Sequence, residues 1–430
     1  LGFIGGVVRD QQGNPVGGAR ILVEPLNNPA RKLSTTANRL GKWRLIGLTS
    51  GQWRITVTDP LHISSSQRLF VRQLGRNRPV KFHLKKFLSV RRVEEVIDPV
   101  MCRFMHQYKL PGMAVGIVHR RKLIYVRGFG VRAVTEREPI TPDTLFNMAS
   151  VSKLFVAAAV MQLVEAGKLD LDAPVVKYLP YFTLKGDGIN KITIRQILSH
   201  QSGLPLGSVR LQNRQPSGNG TLEQYVRDLR TEILAAAPGK EWHYSNMGFN
   251  VLGEVISKVS GLPFEDYVKK NILDPLGMYR STFRRNTIVP EMLSLPHVQP
   301  ANKEITPIRS GDCSHAPSCG LYSNIREMAK WAGAVLHKER FRKSHIMKPS
   351  SFASLLMPQR QTGLGGTEAF IGLGWFLGQY RGHRIMGHSG HVLGYKTHFM
   401  VLPDDAAAII ILINADYAPL SQISTHLLNI

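Results

Sequence analysis

Two side chains of complementary chemistry stand three residues apart in Met148-Ala-Ser150-Val-Ser152-Lys153. A serine hydroxyl is a weak nucleophile until a nearby base or positive field activates it. A lysine amine can supply either. The residues from Leu154 through Leu163 are strong helix formers and Gly167 ends the run. Ser150 is therefore expected at a helix start, with Lys153 one turn later on the same face. The positive end of the helix macrodipole would add to the lysine's charge in stabilising an oxyanion on substrate. Ser152, offset by two residues, faces elsewhere. By itself, Ser-x-x-Lys describes an N-cap serine with a surface lysine equally well.

Two further segments give that pair company. In Trp242-His-Tyr244-Ser-Asn246 the tyrosine and asparagine, two residues apart in a loop, would point to one side if the chain is extended. Tyr244 would serve as a general base if a cation lowered its pKa from about 10, and Lys153 is the natural cation. Asn246 offers a donor and an acceptor to hold both substrate and Lys153. The third segment is Met386-Gly-His388-Ser389-Gly390-His391-Val-Leu-Gly394, ahead of two strands. Gly390 would let backbone approach a substrate closely. The backbone N–H of His391 would pair with that of Ser150 as an oxyanion hole.

Ser150-x-x-Lys153, Tyr244-x-Asn246 and His388-Ser389-Gly390, in this order, resemble the serine β-lactamase-related family. It comprises class C β-lactamases, penicillin-binding proteins, D-aminopeptidases and esterases of the same fold. Leu198-Ser-His200-Gln-Ser202-Gly203-Leu-Pro205, Leu273-Asp-Pro275-Leu-Gly277-Met278, Gly320-Leu-Tyr322-Ser323 and Gly372-Leu-Gly374-Trp375 match as well. The resemblance runs from about Val93 to the C-terminus. It implies Ser150 as acylated nucleophile, Lys153 as its activating partner, Tyr244 as base, and Asn246 with His388, Ser389 and Gly390 as substrate-binding residues. His200 is expected to fix a loop by a hydrogen bond. One departure matters: many relatives carry Lys-Thr-Gly where this chain has His388-Ser389-Gly390. A lysine binds the carboxylate of penicillins and D-Ala-D-Ala. A histidine with an ordinary pKa of about 6.5 is mostly neutral near neutral pH. Esters, amides or small peptides are therefore expected ahead of carboxylate-bearing substrates.

Those residues need a scaffold. The expected fold class is α+β: a β-lactamase/transpeptidase-like domain, with an antiparallel sheet flanked by helices and a helical portion between Val156 and about Leu276. A small all-β sandwich precedes it. Residues 1–84 show short alternating segments at Gly6–Val8, Ala19–Val23, Lys42–Leu45, Trp53–Val57 and Val80–Leu84, divided by turn signals such as Gln12-Gly13-Asn14-Pro15. Gly5-Gly6 and Gly17-Gly18 are read as turn glycines. Gly6-Val-Val-Arg-Asp10, Gly18-Ala19, Gly41-Lys-Trp43-Arg-Leu45 and Gly51-Gln-Trp53 resemble carboxypeptidase regulatory-like domains. These are transthyretin-like sandwiches, usually noncatalytic, on secreted or surface proteins; a secreted or cell-surface location is the one this implies. Residues 85–92 form a basic linker. The body, 93–430, opens with a helix whose apolar face is Val96, Ile97, Val100, Met101 and Phe104, stopped by Pro111-Gly112. Strands Met113–Val118, Leu123–Arg127, Lys396–Leu402 and Ala406–Asn414 complete the pattern.

The 430 residues carry a net charge of +25 and are 43% hydrophobic, as in an ordinary globular protein. The basic residues are spread along the chain, with no spacing typical of nucleic-acid modules, so an anionic surface or polymer is a possible partner and specific nucleic acid is not expected. The longest apolar runs are too short to cross a bilayer. Cys313 and Cys319 could close a small loop, but with Cys102 they make no disulfide framework. Cys313, His315 and Cys319 lack a fourth ligand, and His383, His388, His391 and His398 have no known ligand spacing, so neither metal nor cofactor is expected. The function expected is acyl transfer to a small-molecule or peptide substrate. Two other readings are a catalytically silent scaffold of the same fold and a polyanion-binding surface protein.

Overall fold

The computed structural model describes residues 2–28, 31–59, 62–72, 77–84, 90–207, 221–299, 304–308, 316–337 and 346–430. The chain divides into two compact units, residues 1–93 with 380–384 and residues 94–379 with 385–430.

The first unit has seven strands: β1 (Gly2–Asp10), β2 (Arg20–Pro25), β3 (Leu33–Thr36), β4 (Lys42–Leu48), β5 (Gly51–Asp59), β6 (His62–Val71) and β7 (Val80–Leu84). They form two sheets, β4-β1-β7 and β3-β2-β5-β6. Alternate residues point inward, so Ile21, Val23, Trp53, Ile55, Val57, Val80, Phe82 and Leu84 are buried in one core. Gly5 and Gly6 are not turn residues but lie inside β1. Gly6 sits opposite Val80 in the parallel β1–β7 pair, where a Cβ would stand 1.8 Å from the Val80 carbonyl oxygen. The expected strands omit β3 and β6; the Ser64-Ser65-Ser66 run of β6 carries no apolar alternation.

Helix α1 (Val90–Gln107), of which residues 94–107 belong to the second unit, begins inside the expected linker: Val90–Arg92 are helical, and 85–89 lie outside the described residues. Its buried stripe is Val93, Ile97, Met101 and Phe104, while Val96 is exposed. An i, i+4 recurrence selects that stripe. The main sheet comprises β8 (Gly112–His119), β9 (Lys122–Gly130), β10 (Arg360–Gln361), β11 (Phe370–Ile371), β12 (Phe376–Tyr380), β13 (His383–Val392), β14 (Tyr395–Leu402) and β15 (Ala407–Ile413). Their order is β10-β11-β12-β13-β14-β15-β8-β9, so the early hairpin β8–β9 joins the sheet beside the late strand β15. The pairs β13–β14, β14–β15, β15–β8 and β8–β9 are antiparallel.

Helix α2 (Ser152–Glu165) is buried along almost its whole length, from Ser152 through Met161. Hydrophobic on every side, it is a core helix rather than an amphipathic cover. Against it pack α3 (Asn246–Ser260), α4 (Ile325–Leu336) and the wall made by Trp331, stacked at 4.4 Å on Phe155. Between Val156 and Leu276 the described residues form helices and turns without a named strand. Among the described residues no helix is long and apolar enough to cross a membrane.

Candidate active site

Ser150 lies not in the α-helix but in a 3-10 turn, Ala149–Val151, that runs directly into α2. Ala149 is held in the left-handed region with φ 48°, a conformation costing an L-residue about 1–2 kcal/mol. Three contacts impose it. The Ala149 N–H donates to Asn147 Oδ1 at 2.7 Å, Ser152 Oγ donates to the Ala149 carbonyl at 2.6 Å, and Leu321 N–H donates to Ser152 Oγ at 3.0 Å. Strain concentrated at one position and fixed from several sides is a usual sign of a functional residue next to it.

Lys153, one turn on, is fully buried. Its Nζ is 2.7 Å from Asn246 Oδ1, 2.7 Å from the Ser318 carbonyl oxygen and 3.1 Å from Ser150 Oγ. The aromatic faces of Tyr244 and Phe249 lie 5.0 and 5.5 Å away. Burial, with no carboxylate beside it among the described residues, holds the Lys153 pKa well below its usual 10.5. The Tyr244 phenol hydrogen-bonds with Ser150, yet burial raises its pKa rather than lowering it. The depression of the Tyr244 phenol expected from a lysine cation is therefore not met: burial outweighs the hydrogen bond to Ser150.

Asn246 and Tyr244 owe their placement to the 198–206 turn. Asn246 opens α3, not a free loop; Ser245 caps that helix by accepting from Gly248 N–H at 3.0 Å and donates to the Pro205 carbonyl at 2.6 Å. His200 Nδ1 accepts from Ser245 N–H at 3.1 Å, and its ring stacks on Tyr244 at 4.3 Å. His200 thus makes a loop-fixing hydrogen bond, and burial keeps it neutral by lowering its pKa.

His388, Ser389, Gly390 and His391 are consecutive residues of β13, a strand the sequence pattern does not reveal. His388 is buried, its ring edge-on to Phe376 at 4.9 Å and 6.1 Å from Tyr244. Its Nδ1 lies 2.5 Å from the Ser389 carbonyl oxygen, which can only accept. The proton is therefore on Nδ1, and Nε2, buried with no partner among the described residues, carries a lone pair. Burial, then Lys153, pushes its pKa down to about 3. At Gly390 a Cβ would meet Thr397 Oγ1 at 2.2 Å and the Met148 carbonyl oxygen at 2.6 Å. That absent side chain lets β13 close on the nucleophile turn, where Thr397 Oγ1 donates to the same carbonyl at 2.9 Å. The His391 side chain is exposed. Gly390→Ala is expected to cost at least about 100-fold in kcat/KM and about 1–3 kcal/mol in stability through overpacking. Steady-state kinetics with thermal melts check this; wild-type values for both would show that the strand has room to move.

Four contributors escape the sequence reading. Ser318 supplies a carbonyl to Lys153 from 165 positions away. Asn250 fixes it by accepting from Ser318 N–H at 3.1 Å. Ser152 locks the nucleophile turn. Glu368 accepts from Ser389 Oγ at 3.1 Å. Short-range spacing holds no signal for such long-range pairs. Cys319 is disulfide-bonded and Cys102 is free and exposed, while Cys313 and His315 lie outside the described residues.

Residues 97–428 match the family model described as Beta-lactamase, and residues 4–85 match that of the Carboxypeptidase regulatory-like domain. The chain is 23% identical over 346 residues to Protein flp of Staphylococcus aureus (strain MRSA252), covering 78% of this chain and 66% of that protein. It thus spans about two thirds of that relative's length. To the putative penicillin-binding protein PbpX of Bacillus subtilis (strain 168) it is 26% identical over 369 residues, covering 83% of this chain and 87% of the other. The octameric penicillin-binding protein homologue from Pyrococcus abyssi has the same fold, with a TM-score of 0.68, 28% identity, and coverage of 77% and 76%.

Proposed function

Because the chain belongs to the β-lactamase family of serine hydrolases and penicillin-binding-protein-like enzymes, we propose that it cleaves esters, amides or small peptides through an acyl-enzyme on Ser150. The observation that carries this reading is the arrangement around Lys153 Nζ. A neutral amine has two N–H donors and one lone pair. Two of its three polar neighbours, Asn246 Oδ1 and the Ser318 carbonyl, can only accept. The third is the Ser150 hydroxyl. Burial lowers the Lys153 pKa and so favours the neutral amine; with both of its N–H groups engaged, its lone pair would be left for the hydroxyl proton, and Lys153 is the base for acylation in this reading.

As the proton passes to Nζ, Oγ bonds to the substrate carbonyl carbon. The negative charge on the carbonyl oxygen is taken by the backbone N–H groups of Ser150 and His391. Tyr244, still protonated, hands its proton to the departing oxygen or nitrogen and regains one from Lys153. The acyl-enzyme forms as the leaving group goes. Water then attacks the ester, the same groups moving its proton in reverse, and the free acid leaves. Asn246 holds both the amine and the substrate. His388, neutral, gives no charge to a substrate carboxylate, so β-lactams and D-Ala-D-Ala peptides are poor substrates in this reading.

The test is p-nitrophenyl butyrate turnover, with intact-mass and peptide mapping of quenched enzyme. A single butyryl group on the peptide carrying Ser150 is the expected result. Turnover without an adduct at Ser150, or nitrocefin hydrolysed faster than the ester, would sink the reading.

A further inference from the structure

The outer face of the β4-β1-β7 sheet is a trough lined by basic residues. Along β1, Ile4 and Val8 point into the core, which leaves Gly5 and Val7 on the opposite side. Both are short and half-buried, so they make a floor one strand wide. Register sets the walls. Val7 stands opposite Lys42 of β4 and Lys81 of β7, and Gly5 stands opposite Arg44 of β4. A Cβ on Gly5 would lie 3.7 Å from that of Arg44, on the same face. All three cationic side chains are exposed. Arg9, next on this side of β1, closes one end and donates to the Gly13 carbonyl at 2.7 Å. Phe3 closes the other, with the Arg44 guanidinium 4.5 Å over its ring. Residues 1–84 hold thirteen Lys and Arg against three Asp and Glu, and each of the three acids is engaged elsewhere. Asp10 accepts from the Gln12 and Asn14 N–H groups, Glu24 meets Arg54 and Lys32 on the other sheet, and Asp59 is buried against His62.

We propose that this trough binds one chain of a linear anionic polysaccharide, with carboxylate or sulfate groups recurring along it. Neighbouring strands lie about 4.8 Å apart, so the backbones of the two walls are separated by about 10 Å. That width admits a single extended polymer chain and excludes a nucleic-acid duplex, whose major groove alone is about 12 Å wide. On β4 the cations of Lys42 and Arg44 follow the two-residue repeat of about 6.7 Å, so the walls offer charge along a line. A linear polyanion matches that line; a bilayer presents its charge as a plane. The anions would accept from Lys42 and Lys81 across Val7, while the sugars rest on Val7 and Gly5. Single-stranded nucleic acid stacks its bases on open aromatic faces, whereas the Phe3 ring is already covered by Arg44. Every residue of the trough belongs to the first unit and none takes part in the acyl-enzyme chemistry, so the proposal stands apart from that reading. It gives the sandwich a role of its own, holding the chain on an anionic matrix.

The experiment measures calorimetric binding of heparin octasaccharide and of octagalacturonate to the full chain at about 0.1 M salt, where distant exposed charges are screened. Binding of either supports the proposal, and the stronger of the two says whether sulfate or carboxylate is preferred. Val7→Glu sets a carboxylate between two lysines, and such cross-strand pairs favour the sheet, so the variant should fold and occupy the trough with its own anion. It is expected to weaken binding by about tenfold, the effect of neutralising two exposed cations. Lys42→Glu with Lys81→Glu is expected to weaken it by about 30-fold, through ion pairs lost and repulsions gained. Lys168→Glu with Lys191→Glu makes the same change of net charge at exposed positions of the second unit and is expected to cost less than about threefold. No binding of either octasaccharide by wild type, unchanged affinity in Val7→Glu, or an equal loss in the Lys168 and Lys191 control overturns the proposal. Tighter binding to phosphatidylserine vesicles or a single-stranded oligonucleotide, abolished by Val7→Glu, overturns it too and makes the face a lipid or nucleic-acid site. Octasaccharide binding by a protein that forms no adduct at Ser150 leaves it standing and bears on the acyl-enzyme reading alone.

Discussion

Ser150→Ala is expected to lower kcat for p-nitrophenyl butyrate by about 10⁴- to 10⁶-fold and to abolish the acyl adduct, the range seen when a covalent nucleophile is removed. The change deletes one oxygen from a half-buried position, so the turn and α2 should stay in place. The Ala149 carbonyl remains tied to Ser152 and the Met148 carbonyl to Thr397. Substrate should still bind, with KM little altered, because Asn246 and β13 are untouched. Kinetics, intact mass and a melting curve separate lost chemistry from lost fold. Turnover within tenfold of wild type would show that another nucleophile operates.

Lys153→Met is expected to cost about 10³- to 10⁴-fold in kcat/KM, in the upper part of the general-base range. Methionine fills similar space, but no lone pair then faces Ser150, and Asn246 Oδ1 and the Ser318 carbonyl lose their donor. A pH profile distinguishes a missing base from a loosened pocket. In wild type the reactive form is the free amine, so kcat/KM rises with pH through the lowered Lys153 pKa. It should level off well below the 10.5 of an ordinary lysine. The variant's residual activity should lack that limb. Combining it with Ser150→Ala should cost little beyond the worse single change, since the two residues act as a unit. A variant that keeps the wild-type limb would move the base to another group.

How much of this the sequence discloses depends on distance along the chain. Ser150 and Lys153 share one helical turn, so spacing alone puts them together. The anchoring role of His200 follows from family resemblance and meets a real hydrogen bond to Ser245. The strand that carries His388 to His391 is not legible, because His383-Arg384-Ile385-Met386-Gly387 has neither clean alternation nor a continuous apolar run. Ser64 to Ser66 hide β6 for the same reason. The charge of Lys153 is illegible on another ground. Whether a lysine keeps its proton depends on whether tertiary neighbours include a carboxylate, and here they are a carbonyl, an amide oxygen and a hydroxyl. Reading the residue type alone assigns it an ordinary cation; its surroundings lower its pKa. Glu368 belongs with these, since only the folded chain sets it against Ser389.

A buried lysine whose pKa is held down also makes the molecule acid-sensitive in a way unrelated to catalysis. Unfolding releases Lys153 to water, where it takes up a proton at any pH below about 10.5. The folded chain binds that proton only at a lower pH. Across the interval between those values the unfolded state holds one more proton, so folding stability rises with pH, by about 1.4 kcal/mol per pH unit from this residue alone. The arrangement that readies Ser150 for attack is thus a standing thermodynamic load on the native state, heaviest on the acid side of the interval. A form of this protein relieved of its chemistry would gain tolerance to mild acid.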